Sequence, residues 1–261
     1  MIQSVSTAED KTEFLRRIAH KPYFESTLGT HLHLFGNYPA SGWAFYLLPG
    51  SAVLELRGGS AVLCGALPGG EAGEDAREEL TGFLRFLHAD TLRTEHSLTL
   101  PGWQPAAPLT LWELPKGRAL PLPPAPPAEL APDKAPSMLP VSRLVFAESD
   151  AEADEFYSAA CTALAHGVGT CRALLHNGRP VCTVGCYEQS DTESYMAAGV
   201  TDPAWQGRGL ARYLIVGLAN ELTAERAVRF ACFPALCGFY AQLGFLQIGK
   251  IQHYTTDWNT T

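Results

Sequence analysis

The stretch Gly199–Leu214, GVTDPAWQGRGLARYL, places two glycines, Gly207 and Gly209, where a strand pattern gives way to a helical one. Upstream, SYMAAGVT (194–201) reads as a strand. Downstream, RGLARYLIVGLANELTAE (208–225) carries apolar residues at helical spacing. Glycine lets the backbone turn tightly and lets a bulky anion come close to it. The first N–H groups of a helix have no intrahelical acceptor and carry the positive end of the dipole. Arg208 and Arg212 add cationic donors. The stretch therefore offers a phosphate cradle, although glycines also precede helices where nothing binds.

Working outward, DAEADEFYSAACTALAH (150–166) reads as a helix, and TCRALLH and PVCTVGCY flank Asn177-Gly178, a type I′ hairpin signal. AVRFACF (227–233) reads as a strand, ALCGFYAQL (235–243) as a short helix, and FLQIG and HYTTD as two closing strands. The expected order is α-β-β-β-α-β-α-β-β, an α/β (α+β) fold with a mixed sheet covered by helices. Ahead of it lies a proline-rich tract whose core, LPLPPAPPAELAPDKAP (120–136), favours extended backbone. It reads as a stiff linker over 115–140, or as a docking site for a proline-binding domain, between domains at 1–114 and 141–261. In the first domain, TAEDKTEFLRRIAH offers a helix capped by Thr7 or Asp10, with Phe14, Leu15 and Ile18 on one face. GWAFYLL is a strand, AVLELR and SAVLCGAL form a hairpin about Gly58-Gly59, and EDAREELTGFLRFLHAD is an amphipathic helix. TEHSLTL and LTLWEL complete this half as strands.

Gln206-Gly207-Arg208-Gly209-Leu210-Ala211 fits the Gln/Arg-x-x-Gly-x-Gly/Ala signature of the Gcn5-related N-acetyltransferase (GNAT) family, with Pro203 upstream. About thirty residues on, Phe239-Tyr240-Ala241-Gln242-Leu243-Gly244-Phe245 resembles that family's Phe-Tyr-x-x-Leu-Gly-Phe ending. The resemblance runs from about Ser142 to the C-terminus. It implies the acyl-CoA N-acyltransferase (GNAT) fold and direct transfer from acetyl-CoA, as co-substrate and without a metal, to a primary amine. The acceptor, whether small molecule, peptide or protein, is not carried over, and a homodimer is compatible with the family. By position, residues 206–211 would grip the coenzyme's diphosphate, and Gly199, Val200 and Thr201 would meet its pantetheine arm. Tyr240 matches the tyrosine placed beside the CoA sulfur, where a phenol with an ordinary pKa of about 10 can protonate the thiolate. A buried aromatic is the other reading of Tyr240.

An amine with a pKa of about 10.4 is neutral in only about one molecule in 2500 at pH 7, a deficit of about 4.6 kcal/mol. Glu193, at the start of the strand leading to Val200, is the candidate base, with Glu188 and Asp191 as rivals; any of them also reads as a turn carboxylate. Phe233 stands where the family commonly has asparagine, which suggests a more apolar pocket. A non-catalytic acyl-CoA-binding or regulatory module is the alternative function. The first half resembles a degenerate copy of the same fold, with Glu71, Glu74 and Asp75 where a diphosphate would repel them. It would support the catalytic half or wall its acceptor cleft, with Trp43, Tyr46 and Trp103 as cleft or core aromatics.

Nineteen basic against 27 acidic residues, a net charge of −8, speaks against a nucleic-acid partner. No apolar run approaches a membrane span, and MIQSVSTAEDKTEF lacks a secretory pattern, so a cytoplasmic location is expected. The seven cysteines fit reduced thiols. On a strand, Cys182 and Cys186 would lie roughly 13 Å apart, too far for a disulfide or a shared metal.

Overall fold

The computed structural model describes residues 1–256, so Asp257 of the expected HYTTD strand lies outside the described residues. The chain forms two compact units. The first comprises Met1–Leu111, Ala231–Cys237 and the residues from Gln247 on; the second comprises Trp112–Phe230 and Gly238–Leu246.

The first unit opens with β1 (Gln3–Ser4) and α1 (Ala8–Ile18). A reciprocal capping box starts α1: the Asp10 N–H donates to Thr7 Oγ1 at 3.0 Å, and the Thr7 N–H donates to the Asp10 carboxylate at 2.9 Å. Phe14 and Ile18 are buried as expected, whereas Leu15 is exposed. Next come α2 (Phe24–Phe35), β2 (Trp43–Leu47), β3 (Val53–Arg57), β4 (Ser60–Cys64), α3 (Gly70–Phe86), β5 (Thr91–Thr94) and β6 (Gln104–Leu114), whose last residues, from Trp112 on, including Glu113, belong to the second unit. The sequence reading misses α2, which has no N-terminal signal: its N-cap is Tyr23 at φ 75°, with no side-chain cap. Burial of residues such as Leu28, Leu32 and Phe35 sustains it. The strand expected over TEHSLTL (94–100) is not formed there: β5 lies upstream and shares only Thr94 with it.

The second unit runs through β7 (Ala131–Asp133), α4 (Met138–Val145), α5 (Asp150–Ala165), β8 (Thr170–His176), β9 (Arg179–Gln189), β10 (Glu193–Thr201), α6 (Leu210–Leu222), β11 (Ala227–Cys232) and α7 (Cys237–Leu243). Its strands lie in the order β11-β10-β9-β8-β7, with β10 and β11 parallel and the other pairs antiparallel. The β8–β9 turn has φ 50° at Asn177 and 77° at Gly178, as a type I′ turn demands. Helices α4 and α5 pack on β9, and α6 packs on β8, β9 and β10.

Most of the proline tract has no regular secondary structure. Its Pro132 lies on the edge strand β7, where a missing N–H is tolerated. Its end enters α4, with Pro140 in the first turn, where helix N–H groups lack partners in any case. The tract is strapped along α6: the Leu120 N–H donates to Asn220 Oδ1 at 2.8 Å, and Asn220 Nδ2 donates back to the Leu120 carbonyl at 2.9 Å.

The two expected closing strands are one, β12 (Leu246–Thr255), because Gly249-Lys250 continues the strand rather than turning it. It pairs antiparallel with β5 and lies between β5 and β6 in the order β1-β2-β3-β4-β5-β12-β6. Tyr254 joins Leu54, Leu63, Leu80, Leu84 and Leu92 in the first unit's core, and its hydroxyl accepts the Leu98 N–H at 2.8 Å. Tyr254→Ala should therefore destabilise the first unit by about 3–5 kcal/mol, and Tyr254→Phe by about 1 kcal/mol, in urea unfolding.

Five of the seven cysteines are buried, and Cys161 and Cys237 are half-buried. Burial pushes the Cys182 thiol up to about 11 and those of Cys64 and Cys186 to about 12. A native thiol titration with Ellman's reagent at pH 8 should count at most the two half-buried cysteines, and all seven after denaturation.

Candidate functional site

The site begins where β10 leaves β11. The parallel ladder has three rungs, Glu193–Ala227, Ser194–Val228 and Tyr195–Arg229, although both strands run further. Against β9, by contrast, β10 stays paired as far as Thr201. Between Ala197 and Val200 its register slips, with Ala198 at φ 54°, an uncommon conformation for a residue with a Cβ. Past Tyr195, then, β10 has a β11-facing edge with no ladder partner among the described residues. Gly199, Val200 and Thr201 lie on it.

The strand ends in a built turn. Pro203 opens a short 3-10 turn, and Asp202 caps it by accepting the Ala204 N–H at 2.9 Å. Gln206 Nε2 donates to the Thr201 carbonyl at 3.2 Å. Gly207 and Gly209 have φ 75° and 76°, and a Cβ at either would meet nothing within 4 Å. Gly209 is the N-cap of α6, and no side chain caps that helix. No N-cap side chain therefore takes the first-turn N–H groups, which carry the positive end of the helix dipole. Arg208, exposed, lies over the Trp205 ring at 4.6 Å. Below the turn, Leu210, Leu214, Ile215 and Leu218 bury the helix on the sheet. A cavity of about 790 Å³ adjoins this turn, with Val200, Thr201, Pro203 and Gln206 on one side and Phe146, Glu148 and Arg179 among its other walls.

Tyr240 lies on α7 with its ring against Phe230, centroids 4.3 Å apart. Phe230 follows Arg229, so Tyr240 packs on the first β11 residue past the last rung. The motif around it explains itself: Leu243 and Phe245 are buried, and Gly244 at φ 97° ends the helix. Phe233 is exposed.

Glu193 is fully buried, and its carboxylate accepts from Arg229 Nη1. Arg229 also donates through Nε to Glu113 Oε2 at 2.8 Å. Burial alone would lower the arginine's pKa, but the two carboxylates outweigh it and raise it. A carboxylate so enclosed is an ion-pair partner with no open path to an acceptor. The turn before β10 is fixed as well: the Glu193 N–H donates to Ser190 Oγ at 3.2 Å, and Arg226 Nε donates to the Ser190 carbonyl at 2.8 Å. Asp191 is exposed on that turn, and Glu188 stands across from Tyr195 on β9. Sequence reading missed Glu113 and Arg229, since nothing in a linear pattern pairs residues 116 positions apart.

In the first unit the corresponding ladder does not part, although α3, like α6, starts at a glycine with no side-chain cap and with nothing within 4 Å of a Cβ at Gly69 or Gly70. The parallel β4–β5 ladder continues from Ser60–Thr91 to Leu63–Thr94, and just beyond it Glu95 Oε1 accepts the Gly65 N–H at 2.8 Å and pairs with Lys21. Trp43 stacks on Phe35 at 4.9 Å, Tyr46 meets Phe83 edge-on, and Trp103 is in the core.

Residues 136–245 match the model of the acetyltransferase (GNAT) family. The second half of the chain carries a GNAT domain. A tandem GNAT protein from the clavulanic acid biosynthesis pathway is similar over 100% of this chain and 99% of its own, with TM-score 0.70 and 16% identity. A Drosophila protein follows at TM-score 0.67 and 12% identity, covering 99% of each chain. A GCN5-related N-acetyltransferase from Sphaerobacter thermophilus has TM-score 0.63 and 11% identity over 97% of this chain and 94% of its own. At such identities the likeness is one of fold, and it extends the GNAT fold to the first half. No curated protein matches in sequence. A GNAT domain indicates acyltransferase chemistry. Among the described residues, no helix is long and apolar enough to cross a membrane, and no cluster of three metal-binding side chains occurs.

Arg229→Met would leave two carboxylates facing each other in a largely buried place. It should cost about 3–5 kcal/mol in urea unfolding. Glu193→Gln, which leaves Arg229 paired with Glu113, should cost less, about 1–3 kcal/mol.

Proposed function

We propose that the GNAT domain transfers an acetyl group from acetyl-CoA directly to a primary amine. The observation that carries this reading is the parting of β10 from β11 beside the uncapped start of α6. The Gln206 N–H donates to the Pro203 carbonyl at 3.4 Å, so the main-chain donors that suit a diphosphate are those at 207–211, and the open space over Gly207 and Gly209 lets one approach. The free edge at Gly199, Val200 and Thr201 suits an amide-bearing arm, which would pair with it as an added strand does. Acetyl-CoA supplies the thioester whose carbonyl carbon the amine attacks.

Tyr240 is the proton donor in this reading. As the C–N bond forms and the C–S bond breaks, the sulfur takes the phenol's proton. The phenol is reprotonated from solvent. The amine loses its proton to water at the cleft rather than to Glu193, whose carboxylate Arg229 holds. The first half carries no coenzyme in this proposal, because its β4–β5 ladder does not part and Glu71, Glu74 and Asp75 stand in the first turns of α3. The acidic balance and buried thiols suit a cytoplasmic setting.

The enclosure of Glu193 favours a second reading, a non-catalytic acyl-CoA-binding module. Calorimetry and a thiol-release assay over amino acids, polyamines, aminoglycosides and peptides separate the two. Acetyl-CoA should bind saturably, and Gly209→Val should weaken it about tenfold or more, since a β-branched residue resists φ near 76° and fills the cradle. Tyr240→Phe should lower transfer by about 10²-fold with binding intact. An unchanged rate removes Tyr240 from the mechanism. Binding without transfer to any amine leaves the module, and absence of binding sinks both readings.

A further inference from the structure

We infer that Arg229 is a positioning residue: by bridging Glu193 and Glu113 it fixes the rung at which β10 and β11 part, and so the seat of the coenzyme's arm. This rests on the acyl-CoA reading given above. Three observations meet at one place. Arg229 is the β11 member of the last rung, opposite Tyr195. Its guanidinium spans from β10, through Glu193, to β6, through Glu113 Oε2, which accepts from Nε and Nη2 at 2.8 Å each. One residue further on, Phe230 carries the Tyr240 ring. The cleft's two walls are thus tied together immediately before they separate.

The chemistry of the fork matters here. A planar guanidinium presents donors in fixed directions, so it can hold two carboxylates from two strands at a set spacing. A lysine ammonium keeps the charge without the fork. Glu193 is fully buried, so its carboxylate has little freedom to follow a displaced partner. Loss of the bridge would let the ladder end at a different rung, and the free edge at Gly199–Thr201 would shift against β11. The donors at 207–211 belong to the α6 turn and are fixed by other contacts, including those of Asp202 and Gln206. Anchoring of the arm and anchoring of the diphosphate should therefore come apart.

Two ligands read the two anchors separately. Acetyl-CoA uses both, whereas adenosine 5′-diphosphate carries a diphosphate and no arm. Because Arg229→Met alone strands two carboxylates, the main variant neutralises the whole cluster: Arg229→Met with Glu193→Gln and Glu113→Gln. Arg229→Lys is the conservative companion, and thermal unfolding confirms that each variant is folded. The neutral variant should bind acetyl-CoA about tenfold more weakly, as a misplacement of about 1 Å allows, and adenosine 5′-diphosphate within about twofold of the parent. Arg229→Lys should fall between. Equal weakening of both ligands, or no change in either, overturns the inference while leaving the acyl-CoA reading intact. Failure of the parent protein to bind acetyl-CoA overturns that reading itself, and this inference with it.

Discussion

The arrangement of the second half depends on a ladder that stops. Parallel strands in a sheet gain by staying paired, because each buried N–H and C=O needs a partner. Strands β10 and β11 give up that gain after Tyr195–Arg229. Two features act in opposite senses on either side of that rung. Before it, the Ser190 turn and the Glu193–Arg229–Glu113 cluster bind the strands together. After it, the slip at Ala198 and Gly199 bends β10 away. The result is a main-chain edge that another amide-bearing chain can complete, ending at a helix start that no side chain caps.

The first half shows what the same fold does without that parting. There the ladder continues through Leu63–Thr94, and the carboxylate of Glu95 accepts the Gly65 N–H directly beyond it. Lys21, just ahead of α2, pairs with that carboxylate. Acidic residues in the first turns of α3, together with Glu95, give the place a field unlike that of the Arg208 turn. One fold thus yields a ladder that parts or one that does not, and its two uncapped helix starts differ in the charges around them.

How much of this a linear reading reaches depends on range. The Gly207–Gly209 turn, the Asn177-Gly178 hairpin and the α1 capping box are local, and each residue involved has a stated conformational reason to be there. The Leu243-Gly244-Phe245 ending is local too: two buried anchors around a glycine at φ 97°. By contrast, α2 starts at Tyr23 without a cap and is held by tertiary burial, which no cap signal announces. The pairing of β12 with β5 joins residues far apart in sequence, and periodicity says only that both are strands. Glu193 illustrates the limit at the site. Its residue type and position suggested a base, but its partner lies 36 residues away, and that partner determines whether the carboxylate is reachable.

A charged cluster in the body of a sheet calls for a reason other than stability. Two carboxylates and one guanidinium carry a net negative charge, and the fully buried Glu193 has lost its water. Well-packed apolar residues in such a place are often as stable or more so. Apolar contacts, however, have no preferred direction, so a small slide along a strand can be absorbed by repacking. A forked arginine between two carboxylates is directional: its bonds weaken steeply as the angles open. The cluster therefore fixes a register more sharply than packing alone. That property has most value at the one rung where a strand pair must end, since a ladder ending one residue later would cover part of the edge that begins at Met196. The placement of this ion cluster at Tyr195–Arg229, rather than anywhere else on β10 or β11, is what a device for ending a ladder requires.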